Sequence, residues 1–472
     1  MPPNPLDATE GDLRAKDHNP RTRMLLAGPI VKTLLRLSWP NVLVMVAQAS
    51  TGLIETWWVS SLGTDALAGM ALVFPGFMMM QMLSAGAVGG GISSSIARAL
   101  GAGRRADADA LVLHAIVVNV VLGILFSGVF LAYGRAIYGA MGATGGALEA
   151  ALAYSDIVFA GNILVWLTNG LASVIRGTGN MFVPSLAVCI GVILLVPLSP
   201  VLILGFGPIP ALGMRGAGLA VVATTALSLA ILAWYVWVGR SIVQFKWVPL
   251  RRFLFGDILR VGSVGAVSTL QTTLTVALTT ALVGAAGGAD AVAGYGTGAR
   301  LEYLLIPLVF GLGAPLVAMV GTNIGAGQRA RALRIALIGG ALAFVACEFI
   351  GVVAAIWPQA WLGLFGDDVR MIETGSVYLR WVGPTYGFFG LGLALYFASQ
   401  GAGKLFWPLG AGLLRLIVAV GGGWLALYLT GSLRWLFAAL ALALTLYGVT
   451  VTVAIARGVW FPRRSRRQAM AI

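Results

Sequence analysis

Twelve apolar runs, each about as long as a bilayer is thick and each closed by glycine, proline or charge, fix what this chain can fold into. They lie near residues 37 to 58, 67 to 97, 110 to 133, 152 to 175, 182 to 205 and 216 to 238. A second six lie near 258 to 284, 291 to 323, 335 to 357, 374 to 399, 405 to 429 and 434 to 456. A hydrocarbon core of roughly 30 Å takes about 20 residues of helix, and a backbone in lipid must satisfy its own polar groups, so each run is expected to be a membrane-spanning α-helix. The composition agrees. With 59% hydrophobic and 10% charged residues and a mean hydropathy of +0.91, the chain cannot cover itself with a water-facing surface. The expected class is an all-α integral membrane protein with only short loops.

The net charge of +14 does not imply nucleic acid, because the bases are scattered between apolar runs rather than gathered on a soluble domain. Their alternation follows topology instead. One side of the spans holds the bases from Arg14 to Arg36, Arg98, Arg104, Arg105, Arg176, those from Arg240 to Arg260, Arg329, Arg331, Arg334, Lys404 and the final run from Arg457. The other side holds Arg135, Arg215, Arg370, Arg380 and Arg434. Basic segments are retained in the cytoplasm, so both termini are expected there, in a bacterial inner (plasma) membrane. Asp7, Glu10, Asp12 and four prolines among the first 20 residues argue against a cleavable signal peptide, and residues 1–30 read as a flexible cytoplasmic tail. Cys189 and Cys347 lie inside apolar runs and indicate neither a disulfide framework nor a metal set. His114, just after a basic loop, reads as interfacial.

The two halves repeat. At an offset of 224, Leu100, Gly101, Ala102 and Gly103 match Ile324, Gly325, Ala326 and Gly327. Arg176, Gly177, Thr178, Gly179 and Pro184 fall on Gln400, Gly401, Ala402, Gly403 and Pro408. At 225, Asp65, Ala66, Leu67, Ala68 and Gly69 match Asp290 to Gly294. Six spans per copy start both copies on the same side, which makes the repeats parallel, an architecture of secondary transporters. The reading is a six-helix bundle over 31–240, a cytoplasmic linker over 241–257, a second bundle over 258–457 and a basic tail over 458–472. One chain supplies both halves, so a monomer suffices. No P-loop, His cluster or G-x-S-x-G elbow suggests an enzyme.

These motifs resemble those of the MATE family (multidrug and toxic compound extrusion) from about Leu34 to Arg457. The resemblance rests on Pro40, Glu55, the stretch from Leu62 to Gly69, Ala99 to Gly103, Arg176 to Gly179 with Pro184, Gly205 to Ala217, and Ala293 to Glu302 with Gly325 to Gly327. It implies a V-shaped pair of bundles that expels small organic, often cationic, compounds in exchange for inward H⁺ or Na⁺, with no other cofactor and no metal. The family's acid in the first span is usually Asp where this chain has Glu55. The aspartate of its proton-switching branch, in span five, is replaced by Ser199, and span ten has no acid between Gly375 and Gln400. The coupling ion is therefore left open.

Glu55 and Glu302 are the candidate cation-coupling residues. A carboxylate within an apolar helix costs roughly 2.5 to 3.5 kcal/mol on insertion scales, so it must protonate, bind a cation or find a partner. Glu55 stands beside Trp57 and Trp58; its alternative is a place among the outer headgroups. Glu302 lies close to mid-membrane; its alternative is an ion pair with an arginine of another span, Arg415 being available, whereas Arg300 points elsewhere on the helix. Gln271, Thr275 and Thr279 form one polar stripe, and Gln48, Thr51 and Glu55 another, either lining a wet cavity or bonding helix to helix. Tyr303, with Met78, Met79, Met80, Met82, Trp166, Tyr386 and Phe389, supplies aromatic and soft surface for a cavity or for packing. Glu348 and Asp156 read as structural or interfacial. The expected function is export of small organic cations by H⁺ or Na⁺ antiport. The alternative is a flippase for a lipid-linked saccharide, which needs intramembrane bases for pyrophosphate; the spans offer chiefly Arg300 and Arg415.

Overall fold

The computed structural model describes residues 19–461, except the side chains of residues 48–50, 53 and 303. Two cavity candidates, Gln48 and Tyr303, lie outside the described side chains, and residues 1–18 and 462–472 of the two tails lie outside altogether.

Among the described residues the regular structure is helical, apart from one isolated bridge between Phe206 and Ile209. In order, the helices are α1 (Pro20–Ala27), α2 (Ile30–Ser60), α3 (Thr64–Gly101), α4 (Arg105–Ala140), α5 (Gly145–Ala160), α6 (Asn162–Gly177), α7 (Phe182–Leu204) and α8 (Met214–Trp237). There follow α9 (Arg252–Gly325), α10 (Arg329–Ile356), α11 (Pro358–Leu362), α12 (Val369–Val382), α13 (Tyr386–Ala402), α14 (Phe406–Thr430) and α15 (Leu433–Ala456). By length and apolarity, nine described helices can each cross a bilayer, and α5 with α6, bent by 48°, makes a tenth crossing. The 74 residues of α9 are several times longer than a bilayer requires, and the helix breaks at Gly288, whose φ of 70° and ψ of −163° a residue with a Cβ would adopt only under strain. Each of its two arms is long enough to cross by itself, and α12 runs into α13 through a 3₁₀ turn at Gly383–Thr385. Many large apolar side chains point away from protein, Phe349 being 71% and Ile193 70% exposed, as helices bathed in lipid require.

The chain divides into two compact units. One comprises Trp39–Gly262 with Asn19–Thr22. The other joins Arg23–Ser38 to the chain from Ser263 onward. The first strand of chain in each bundle is thus exchanged: the segment ending at Ser38 belongs to the second unit and the one ending at Gly262, 224 residues later, to the first. Residues 20–27, read from sequence as the end of a flexible tail, instead form a helix with Leu25 and Leu26 buried, and Asn323 Nδ2 donates to the Leu25 carbonyl at 3.1 Å. The apolar side chains that sequence hid among charges in this stretch are what hold it.

The repeat read in the sequence recurs as geometry. A Cβ on Gly177 would lie 2.8 Å from the Ser93 carbonyl oxygen, and one on Gly401 would lie 2.6 Å from that of Val317, the same crossing 224 residues on. Gly69 approaches Ala151 N as Gly294 approaches Gly375 N, at 2.7 and 3.0 Å for the same hypothetical atom. Small residues at these crossings let helix backbones meet where no hydrophobic drive separates protein from lipid. Even the interruption repeats, since the bend at Gly161 lies 224 residues before Thr385.

The linker after α8 is pinned to the start of α4. Asp109, 3% exposed, accepts the Gln244 amide N–H at 3.0 Å and the Lys246 ammonium at 2.6 Å. His114 is fully buried beneath this linker: its Nδ1 lies 2.8 Å from the Ala110 carbonyl and its Nε2 accepts the Arg251 N–H at 2.8 Å. Sequence position marks the end of a span but not the strap that covers it.

Candidate functional site

In the first unit, α2 carries Thr51 and Glu55 one turn apart on one face. The Thr51 hydroxyl donates back to the Ala47 carbonyl at 2.9 Å. Glu55 is buried, 8% exposed, and its Oε1 has no hydrogen-bond partner. The buried phenol of Tyr154 on α5 lies within electrostatic range of it. Trp57 and Trp58 meet edge to face at 4.4 Å beside it, Trp57 being largely exposed. The carboxyl is enclosed by protein. An acid so placed, with an oxygen to spare, can take up a proton or a desolvated cation and release it when its surroundings change.

In the second unit, Glu302 stands on the second arm of α9 and is fully engaged. Its Oε1 accepts Arg415 Nη2 from α14 at 3.0 Å, and its Oε2 accepts the Tyr378 hydroxyl from α12 at 3.4 Å. The Tyr386 hydroxyl donates in turn to Tyr378 at 3.5 Å. The Arg415 guanidinium also lies over the rings of Phe389 and Tyr447, at 5.4 and 5.9 Å from their centroids. The ion pair named as the alternative to coupling is therefore present, while Arg300 stacks on Phe365 at 5.3 Å instead.

The repeat relates the two acids unequally. Tyr154 beside Glu55 and Tyr378 beside Glu302 are equivalent positions, 224 apart, but Glu55 corresponds to Thr279 and Glu302 to a position near Met78. Thr51 corresponds to Thr275. Thr279 is 1% exposed with its hydroxyl unpartnered, whereas Thr275 donates to the Gln271 carbonyl at 2.7 Å. The Gln271 amide oxygen packs against Gly412 of α14. Among the described residues none of these three hydrogen-bonds Glu302. Met80, Trp166, Tyr386 and Phe389 are buried in packing, while Met78, Met79 and Met82 are exposed. Glu348 accepts the Gly387 N–H at 2.8 Å and so caps the first turn of α13, a structural use; Asp156 is exposed.

A polar cluster in the first unit escaped sequence reading. Asn169 Nδ2 on α6 donates to Gln81 Oε1 at 2.9 Å and Ser84 Oγ at 2.8 Å, where the π turn Met82–Val88 widens α3. Gln81 and Ser84 share a helix face by spacing, but nothing local names Asn169 as their partner.

Comparison with known proteins decides what carries this arrangement. The MatE family model matches residues 40–201 and 265–425, two segments spaced like the internal repeat. The chain belongs to the MatE family. A FAD transporter of Shewanella oneidensis is 26% identical over 377 residues, spanning 79% of this chain and 82% of the relative. A probable multidrug resistance protein NorM of Thermotoga maritima is 22% identical over 386 residues, 80% of this chain and 82% of the relative. Among solved structures, that of MATE in the bent conformation superposes with a TM-score of 0.88 at 24% identity, covering 96% of this chain and all of the other. The MATE fold and its helical spans make the protein a multipass membrane transporter rather than an enzyme.

Proposed function

We propose that this MATE transporter exports small organic cations by antiport, H⁺ or Na⁺ moving inward through Glu55 and Glu302. The buried, unpartnered carboxyl oxygen of Glu55 carries the reading, because a membrane helix retains such an acid at a cost that only a bound proton or cation offsets. Glu302 is the second coupling residue, its bond to Arg415 being the contact that an arriving cation would displace. Gln48, Thr51, Gln271, Thr275, Thr279 and Tyr303 line the path. Relatives named as multidrug resistance proteins support an organic substrate. The protein works as a monomer in the bacterial inner membrane, both termini cytoplasmic, with lipid as its surroundings.

The test is efflux of a fluorescent organic cation from proteoliposomes under an imposed pH gradient or an imposed Na⁺ gradient, for wild type, Glu55→Gln and Glu302→Gln. Gradient-driven efflux lost in the Glu55 variant names the ion and the residue; full coupling in both variants overturns the assignment. A second reading, export of a flavin dinucleotide, is favoured by the relative named FAD transporter and predicts FAD efflux where the cation is not moved. The flippase reading is weaker, because the two intramembrane bases it needs are engaged, Arg415 by Glu302 and Arg300 by Phe365.

A further inference from the structure

A groove of about 810 Å³ opens in the second unit where α1 turns into α2 beside the start of α10. Ile30, Val31, Leu35 and Ile338 wall it, and Lys32 and Arg331 are the charged residues of its lining; no acid is among them. Val31 is 43% and Leu35 52% exposed, so the apolar wall is open rather than packed. The Arg331 guanidinium is fixed by a hydrogen bond from Nη2 to the Gly28 carbonyl, yet its Nε has no partner. Three amides of the first turn of α2, those of Ile30, Val31 and Lys32, have no acceptor within the helix and carry the positive end of its dipole.

The groove is thus cationic at one end and apolar along its length. Its cationic end coincides with the level at which α2 enters the membrane, since the apolar stretch of that helix begins at Ile30. A free phosphate would satisfy the cations but leave Val31, Leu35 and Ile338 bare. A zwitterionic lipid would cover the wall but bring its own cation against Lys32. We propose that the groove binds one anionic phospholipid, its phosphodiester on Lys32, Arg331 and the first-turn amides, its acyl chain along Leu35 and Ile338. Basic pockets between membrane helices capture anionic headgroups by this combination of charge and apolar wall. The lipid bridges α2 and α10 and so braces the exchanged segment Arg23–Ser38 on the unit it joins. The inference needs the membrane topology but not the coupling scheme.

Native mass spectrometry of the full-length protein, released from detergent with dioleoyl phosphatidylglycerol or dioleoyl phosphatidylcholine added, tests this. One phosphatidylglycerol is expected to stay bound at collision energies that strip phosphatidylcholine. Lys32→Gln is expected to lower that retention about fivefold, one base near an anionic headgroup being removed, while Arg135→Gln, at an exposed base in the first unit, leaves it unchanged. Lys32 is exposed, so its variant keeps the test interpretable where replacing Arg331, which is bonded to the Gly28 carbonyl, would confound binding with folding. Equal retention of the two lipids, an unaltered Lys32→Gln profile, or complete displacement by inorganic phosphate would each overturn the proposal.

Discussion

Arg415 on α14 reaches Glu302 on α9, 113 residues earlier in the chain, at 3.0 Å. Their side chains are only 12% and 19% exposed, and each has a second tie, Glu302 to the Tyr378 hydroxyl and Arg415 to two aromatic faces. A pair so enclosed is costly to break from one side, because the remaining charge keeps its desolvation penalty without its partner.

Arg415→Gln is therefore expected to lower stability by about 3 to 5 kcal/mol, and Glu302→Gln combined with Arg415→Gln to recover more than half of that loss. Thermal unfolding of the purified protein in one detergent, across all four members of the double-mutant cycle, measures it. Additive losses would mean that the contact carries no coupling energy.

The spans and the duplication were legible in the sequence because both are written in periodicity: apolar runs of fixed length, and small-residue motifs recurring at 224. Arg415 was legible as an available partner for Glu302, though not as its actual one, since helices apolar on every side do not announce which face turns inward. For the same reason the bond from Asn169 to Gln81 and Ser84, between helices some 85 residues apart, left no local signal. The break of α9 was expected as a loop between 284 and 291 and is a single glycine, Gly288, because one residue with positive φ kinks a helix without unwinding its neighbours. The exchange of the segments ending at Ser38 and Gly262 depends on packing alone.

Glu55 differs from Glu302 in having a carboxyl oxygen with no partner. Glu55→Gln is expected to leave the thermal midpoint unchanged or raised, because it removes the roughly 2.5 to 3.5 kcal/mol cost of a charge within lipid without breaking an ion pair. Gradient-driven efflux should nonetheless be lost. Differential scanning fluorimetry beside the proteoliposome assay reads both, and a lowered midpoint with efflux intact would make Glu55 structural.

The linker is held to α4 through few contacts: Asp109 to Gln244 and Lys246, His114 to Arg251, and Arg105 Nη2 to the Ile242 carbonyl at 3.2 Å. His114→Ala removes the acceptor of a part-buried backbone N–H, a loss on the order of 1 to 3 kcal/mol. Trypsin cleavage after Lys246 and Arg251 should then accelerate by about tenfold or more, each 1.4 kcal/mol of easier local opening being a factor of ten. Timed limited proteolysis with peptide mapping follows it; unchanged cleavage would show that the strap is secured without His114.

The repeated crossing offers the sharpest comparison between halves. Gly177→Ala would bring a methyl to 2.8 Å from the Ser93 carbonyl oxygen, and Gly401→Ala to 2.6 Å from that of Val317, both backbone atoms that cannot swing aside as a side chain would. The helices must part, at an expected cost of about 1 to 3 kcal/mol for each variant. Gly128→Ala, in α4 with nothing within 4 Å of the added atom, should be neutral or slightly stabilising, since alanine favours the helix by up to about 1 kcal/mol over glycine. Comparable losses at Gly177 and Gly401, read as shifts of the unfolding midpoint against Gly128→Ala, would establish that both halves close on the same backbone contact. A loss at one position alone would show that the repeat persists in sequence while only one half still depends on it.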